Sequence, residues 1–194
     1  MGYDRRMARW QPDGRGRLVQ AALALYGERG FDNTTVAEIA ARAGLTERTF
    51  FRYFADKREV LFSGTPALRD LLVDTVARAP DSATPLDAVG AALEAVGAML
   101  QERREGARQR AAVIAANTEL QERELVKMAS LARALADALR GRRAGEATAT
   151  LTAEAGIAVF RVAFDRWVEG GTQGELPQLI RESLAELRGV TAAR

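Results

Sequence analysis

Thr35-Val36-Ala37-Glu38-Ile39-Ala40-Ala41-Arg42-Ala43-Gly44-Leu45-Thr46-Glu47-Arg48-Thr49-Phe50-Phe51-Arg52-Tyr53-Phe54 is the stretch whose residue types and spacing could do chemistry. Arg48 and Arg52 lie four apart, so on a helix their guanidinium forks share a face. Such forks are the commonest bidentate readers of guanine in a major groove. Thr35, Thr46, Thr49, Tyr53 and Lys57 offer hydroxyls or an ammonium suited to phosphate oxygens. Glu47 could accept from a cytosine amino group, or simply sit well at a helix N-terminus. Charged residues on a short helix are more often a solvated face. The placement, not the charge itself, carries the reading.

The elements needed to hold this face are written nearby. Leu18, Ala21, Ala22, Leu25 and Tyr26 recur at helical spacing from Arg15 onward, and Gly30 can end that helix. Thr35 and Glu38 form a capping box for a second helix, in which Val36, Ile39 and Ala40 face inward. Ala40 is small enough for another helix to cross close by. Gly44 supplies a sharp turn, Leu45 plugs the core, and Thr46 caps a third helix, Glu47–Phe54. Phe50 and Phe54 anchor this helix from behind, opposite Arg48, Thr49 and Arg52, with Tyr53 to one side. Asp56 and Glu59 read as another capping box, opening a fourth helix that Gly64-Thr65-Pro66 interrupts. There Thr65 is a candidate cap and Pro66 suits a first helical turn.

Composition narrows the field. The chain has 194 residues, 47% hydrophobic and 28% charged, with no cysteine and no histidine. Disulfides, thiolate or imidazole metal sites and His- or Cys-based triads are excluded, so no cofactor is expected. An enzyme would have to work with carboxylates, Lys, Ser or Tyr, and no spaced carboxylate pair or phosphate loop stands out. Residues 1–60 hold 11 Lys/Arg against 8 Asp/Glu, and the remainder hold 17 against 18. The basic excess is modest. No apolar run reads as a membrane span and no secretion core opens the chain, so a cytoplasmic protein without a membrane partner is expected.

The organisation reads as all-α. Residues 1–14 form a flexible basic arm, with Arg5, Arg6 and Arg9 in reach of a DNA backbone. Residues 15–62 form the helix-turn-helix domain, and residues 63–194 a larger helical domain of amphipathic segments. In that domain Leu93, Val96, Met99, Leu100 and Ile114 are candidate lining for a small-molecule cavity, together with Met128, Leu131, Phe160 and Phe164. Such a lining would suit an apolar or amphipathic effector, although each residue alone could equally be plain core. Arg103, Arg104, Arg108 and Arg110 read as a solvated basic face paired with Glu102 and Glu105, or else as a mouth for a phosphate or carboxylate. The last two helices are the candidate dimer interface, through Ile157, Phe164, Trp167 and Val168 on one and Ile180, Leu184 and Leu187 on the other.

Over Leu18–Leu61 the sequence resembles the TetR family of bacterial regulators. The resemblance rests on Gly30-Phe31, Thr34-Thr35, Ile39-Ala40, Ala43-Gly44-Leu45, Thr49 through Phe54, and Lys57. It implies a homodimer on a palindromic operator in double-stranded DNA, most often a repressor, released when a small molecule enters the C-terminal core. It also implies the DNA-contact roles given above. Some actinobacterial members with the same Phe-Phe-Arg-Tyr-Phe recognition helix are thought to bind acyl-coenzyme A. Two features depart from the pattern: Phe51 stands where Tyr is common, and Gly64-Thr65-Pro66 breaks a connecting helix that is often continuous. An enzymatic C-terminal domain, or an interaction module with a vestigial helix-turn-helix, are the alternatives.

Overall fold

The computed structural model describes residues 13–169 and 174–192. The arm expected over residues 1–14, with Arg5, Arg6 and Arg9, lies almost wholly outside them. Among the described residues the secondary structure is helical throughout, with no strand. The chain divides into two compact units between Leu61 and Phe62, where the sequence reading put the division after residue 62.

The first unit holds α1 (Gly14–Arg29), α2 (Val36–Arg42) and α3 (Glu47–Tyr53). Asp13 caps α1, its carboxylate accepting from Gly16 N at 2.7 Å, so the helix starts slightly earlier than its apolar pattern. The Thr35 box forms in both directions: Thr35 Oγ1 accepts from Glu38 N at 3.2 Å, and Glu38 Oε2 accepts from Thr35 N at 2.9 Å. These bonds hold the Glu38 carboxyl below its usual range, the backbone donor at Thr35 contributing most. Gly44 turns the chain between α2 and α3 at φ 66°, a conformation open chiefly to glycine. Ile39, Ala40, Phe31, Phe50 and Phe54 are buried together with the inner face of α1. Val36 and Leu45 are only half-buried, so they edge this small core.

Asp56 caps as expected, its Oδ1 accepting from Arg58 N and Glu59 N, but the helix it opens, α4 (Glu59–Phe62), has one turn. The break lies where Gly64 and Pro66 place it. Thr65 is not its cap: Gly64 holds that position without a side-chain bond and Thr65 is the first residue of α5 (Thr65–Arg78).

The second unit continues with α6 (Pro85–Gln101), α7 (Arg104–Ala115), α8 (Thr118–Gly141), α9 (Glu146–Val168) and α10 (Leu176–Ala192). Helices α6, α9 and α10 pack on one another, α5 packs on α6 and α8, and α8 on α9. Close approach of α6 and α9 depends on Gly156, where an added Cβ would stand 2.5 Å from Val89 Cγ1. Thr84 and Asn117 cap α6 and α8 through their side chains. Helix α8 ends on Gly141.

Phe62, the first residue of this unit, is buried with two guanidinium groups over its ring: Arg110 at 5.2 Å and Arg123 at 5.6 Å from the centroid. Arg110 is itself fixed by a two-pronged pair with Glu124 at 2.6 and 3.2 Å. One expectation about length needs correction. Helix α9 is long and apolar enough by composition to cross a bilayer, because apolar residues occupy more than its core-facing side. Ala149, Ala153, Gly156, Ile157, Val159, Ala163 and Trp167 are buried within the unit.

Candidate functional site

The third helix is seven residues long, too short to persist alone in water. It is held by Phe50, fully buried, against which the Phe54 ring leans at 5.5 Å, tilted by 50°. Its N-terminus is closed by Thr46, whose Oγ1 accepts from Thr49 N at 3.2 Å and lies 3.0 Å from the Thr49 hydroxyl. Arg48 and Glu47 are exposed and have no side-chain partner among the described residues. Arg52 is exposed but tethered: its guanidinium lies 5.0 Å from the Tyr53 ring centroid and donates to Tyr53 Oη at 3.2 Å. The structure therefore brings Thr46, Glu47, Arg48, Thr49, Arg52 and Tyr53 onto one short capped helix. It also shows Phe51, 55% exposed, on the arginine face, which the periodicity reading passed over.

Two expected phosphate contacts are otherwise engaged. Lys57 Nζ donates to the carbonyls of Phe31 (2.8 Å), Thr34 (2.9 Å) and, more weakly, Asp32 (3.3 Å), above the Phe31 ring. An ammonium has three protons, and here all three close the α1–α2 loop. Thr35 gives its hydroxyl proton to Glu38 Oε2 at 2.9 Å, so a phosphate would compete with the helix cap. The same loop is tied by Tyr26 Oη donating to Lys57 O at 2.7 Å and by fully buried Thr34, whose hydroxyl donates to Gly30 O at 2.9 Å. Burial, with the Asp56 carboxylate second, pushes the Tyr26 phenol above its ordinary range. Arg17 Nη1 donates to Ala43 O at 3.0 Å, bracing the turn before α3. These long-range ties have no sequence pattern that announces them.

In the second unit the candidate cavity residues separate. Leu93, Val96 and Leu131 are central core, and Ile114 is buried too. Leu100, Met128, Phe160 and Phe164 are half-buried at its edge, and Met99 is half-buried on α6. Phe160 and Phe164 stack at 5.7 Å, and Phe164 leans on Trp167 at 5.6 Å. The Trp167 indole N–H is buried without an acceptor. A depression of about 370 Å³ lined by Thr75, Arg78, Ala79, Pro80, Ala83, Asp87, Ala88 and Ala91 contains none of the expected lining residues.

The arginine cluster is not one face. Arg110 pairs with Glu124, Arg104 donates to Trp167 O at 3.0 Å and lies over the Trp167 ring, and Arg103 and Arg108 are exposed. The pairing expected with Glu102 and Glu105 gives way to these contacts, since α7 turns Arg104 and Arg110 toward neighbouring helices.

The interface residues also need correction. Trp167 and Ile180 are fully buried within a single chain, and Ile157 and Leu184 nearly so; a surface already filled by its own chain cannot face a second copy. Phe164, Val168 and Leu187 also pack against that core. The apolar residues left outside are Leu151 (70% exposed) and Val162 (50%) on α9, Leu125 and Val126 on α8, and Val190 on α10.

Comparison with known proteins agrees with this architecture. Residues 18–63 match the family described as bacterial regulatory proteins, tetR family, and residues 83–192 match the MftR C-terminal domain. TcmR, an HTH-type transcriptional regulator of Streptomyces glaucescens, is 35% identical over 42% of this chain and 36% of its own length. A Mycobacterium tuberculosis protein with the provisional name mycofactocin biosynthesis transcriptional regulator MftR is 30% identical over 76% of this chain and 75% of its own. Among solved structures, FadR of Bacillus subtilis in complex with stearoyl-CoA superposes with a TM-score of 0.65 at 18% identity, covering 89% of this chain and 96% of that one. A helix-turn-helix within a three-helix unit, followed by a larger all-helical unit, thus defines a helix-turn-helix transcriptional regulator. The chain belongs to the TetR family.

Lys57→Ala leaves three carbonyls without their donor. It is expected to lower the unfolding stability of the first unit by about 1–3 kcal/mol, while the salt dependence of duplex binding keeps its slope. Chemical denaturation and a salt titration measure the two; a flattened slope at unchanged stability would return Lys57 to the phosphate role.

Proposed function

We propose that this regulator is a repressor that binds a palindromic operator as a homodimer and leaves it when an apolar or amphipathic small molecule enters the second unit. The reading makes it a cytoplasmic protein with no enzymatic step and no membrane partner. The observation that carries it is the face of α3: Arg48 open to solvent and Arg52 braced by Tyr53, on a helix locked from behind by a fully buried phenyl ring. Two guanidinium forks on a firmly seated helix suit base edges in a major groove. Thr46, Thr49 and Tyr53 supply the phosphate-facing hydroxyls, and Glu47 sits beside them. Arg48→Ala and Arg52→Ala should each cost about 1–3 kcal/mol on the preferred duplex and relax sequence preference at one position. Selection from a random duplex library with wild-type and variant proteins measures this; unchanged preferences in both would reject the reading face.

For the homodimer, support comes from the outer side of α9. Leu151, Ala155, Ala158 and Val162 step by 4, 3 and 4 residues, a seam of coiled-coil type. The seam is self-complementary under a two-fold axis: Leu151 meets Val162 of the partner subunit and Ala155 meets Ala158 of the partner subunit. Glu154 and Arg161 flank it with opposite charge. This seam also gives the exposed apolar residues of α9 a use that requires no bilayer. Val162→Asp is expected to yield a folded monomer by sedimentation, with sharply weakened operator binding; a dimer of wild-type strength would place the interface elsewhere.

For the effector, the edge of the core is favoured over its centre. Phe160, Phe164, Leu100 and Met128 are half-buried, whereas Leu93, Val96 and Leu131 pack fully. The acceptorless Trp167 N–H lies beside them, a polar anchor that a ligand oxygen could satisfy. The structural neighbour FadR is recorded with stearoyl-CoA, which makes a long acyl chain the first probe. The chain has two tryptophans, so Trp10→Phe leaves Trp167 as reporter. Stearoyl-coenzyme A should shift Trp167 fluorescence and release the selected duplex together; release without any change at Trp167 would move the site away from this edge.

A further inference from the structure

The phenyl ring on the outer face of α3 touches the core at one edge and is otherwise open to solvent. Phe51 is 55% exposed, while its neighbour Phe50 is fully buried. It stands three residues after Arg48 and one before Arg52, so all three side chains share a face, with Phe51 and Arg52 flanking the Arg48 direction. Its ring meets Phe50 edge-on, 5.5 Å between centroids at 83°, so its orientation is set by the core beneath it.

We propose that Phe51 is a sequence-reading residue, one that packs against the C5-methyl group of a thymine beside the guanine contacts of Arg48 and Arg52. This rests on the reading of α3 as the helix in the major groove. A phenyl ring has no donor, so it cannot take the phosphate hydrogen bond open to a hydroxyl-bearing residue. The thymine methyl is the apolar group that base edges present in the major groove, and aromatic contact with it is an established way of reading thymine. Arg48 and Arg52 are about 6 Å apart along the helix axis, so the thymine lies within roughly two base pairs of the guanines they read, given a ~3.4 Å step. A ring already held by Phe50 loses little freedom on docking, and this favours a fixed contact over an adaptable one.

The test uses the full-length protein and a duplex selected from a random library. Each thymine is replaced singly by deoxyuridine, which removes the methyl and nothing else. In the wild type, one deoxyuridine per half-site is expected to weaken binding about fourfold, the loss of one buried methyl. In Phe51→Ala that same replacement has no effect, while the other deoxyuridine positions behave as in the wild type. Phe51→Tyr, which keeps the ring, retains the thymine preference. Equal deoxyuridine effects in wild type and Phe51→Ala would overturn the proposal, leaving the ring against the sugar backbone or a protein partner. If a duplex is selected and Arg48→Ala and Arg52→Ala change its sequence preference, that failure concerns Phe51 alone. If no duplex is selected, both the proposal and the DNA-reading role of α3 fall.

Discussion

A seven-residue helix has no stability of its own, and α3 exists because one phenyl ring, Phe50, is sealed beneath it. Its other features depend on that seat. Thr46 caps a helix already pinned in place, Phe54 leans on the same ring, and Gly44 admits the turn that brings α3 across α2. The outward residues inherit rigidity from the inward ones. Of the four neighbouring positions Arg48 to Phe51, Phe50 alone turns to the core and the other three face outward.

The second constraint is the loop between α1 and α2. Its carbonyls converge, and repulsion among them would splay the chain were it not for Lys57, whose ammonium receives three of them over the Phe31 ring. Tyr26 then bonds the Lys57 carbonyl, so side chain and backbone of a single residue fasten α1 to the segment after α3.

Legibility in the sequence followed the range of the interaction. The Thr35–Glu38 box, the Thr46 cap, the Gly44 turn and the Phe50–Phe54 anchor lie within a few residues, and all four were readable as patterns. The carbonyl bonds of Lys57 leave no mark in the sequence, because its partners stand 23 to 26 residues away and an exposed-looking lysine has no local signature. In the larger unit, periodicity gave the helices but could not say what each apolar side meets. Trp167 and Ile180 looked equally suited to core or interface, and burial in one chain decides for core. Leu151 and Val162 give no separate signal in the sequence because α9 is apolar on two sides, which blurs its amphipathic pattern.

The seam proposed for the outer side of α9 has a consequence for variation. Leu151, Ala155, Ala158 and Val162 map onto themselves in reverse order, so in a two-fold pair every substitution is met twice. A change that spoils the fit is doubled, and one that improves it is doubled as well. Two related chains sharing a cell, each with its own version of this seam, would sort by self-matching rather than mix. A four-residue stripe can in this way keep one regulatory circuit insulated from its siblings without altering anything near the DNA.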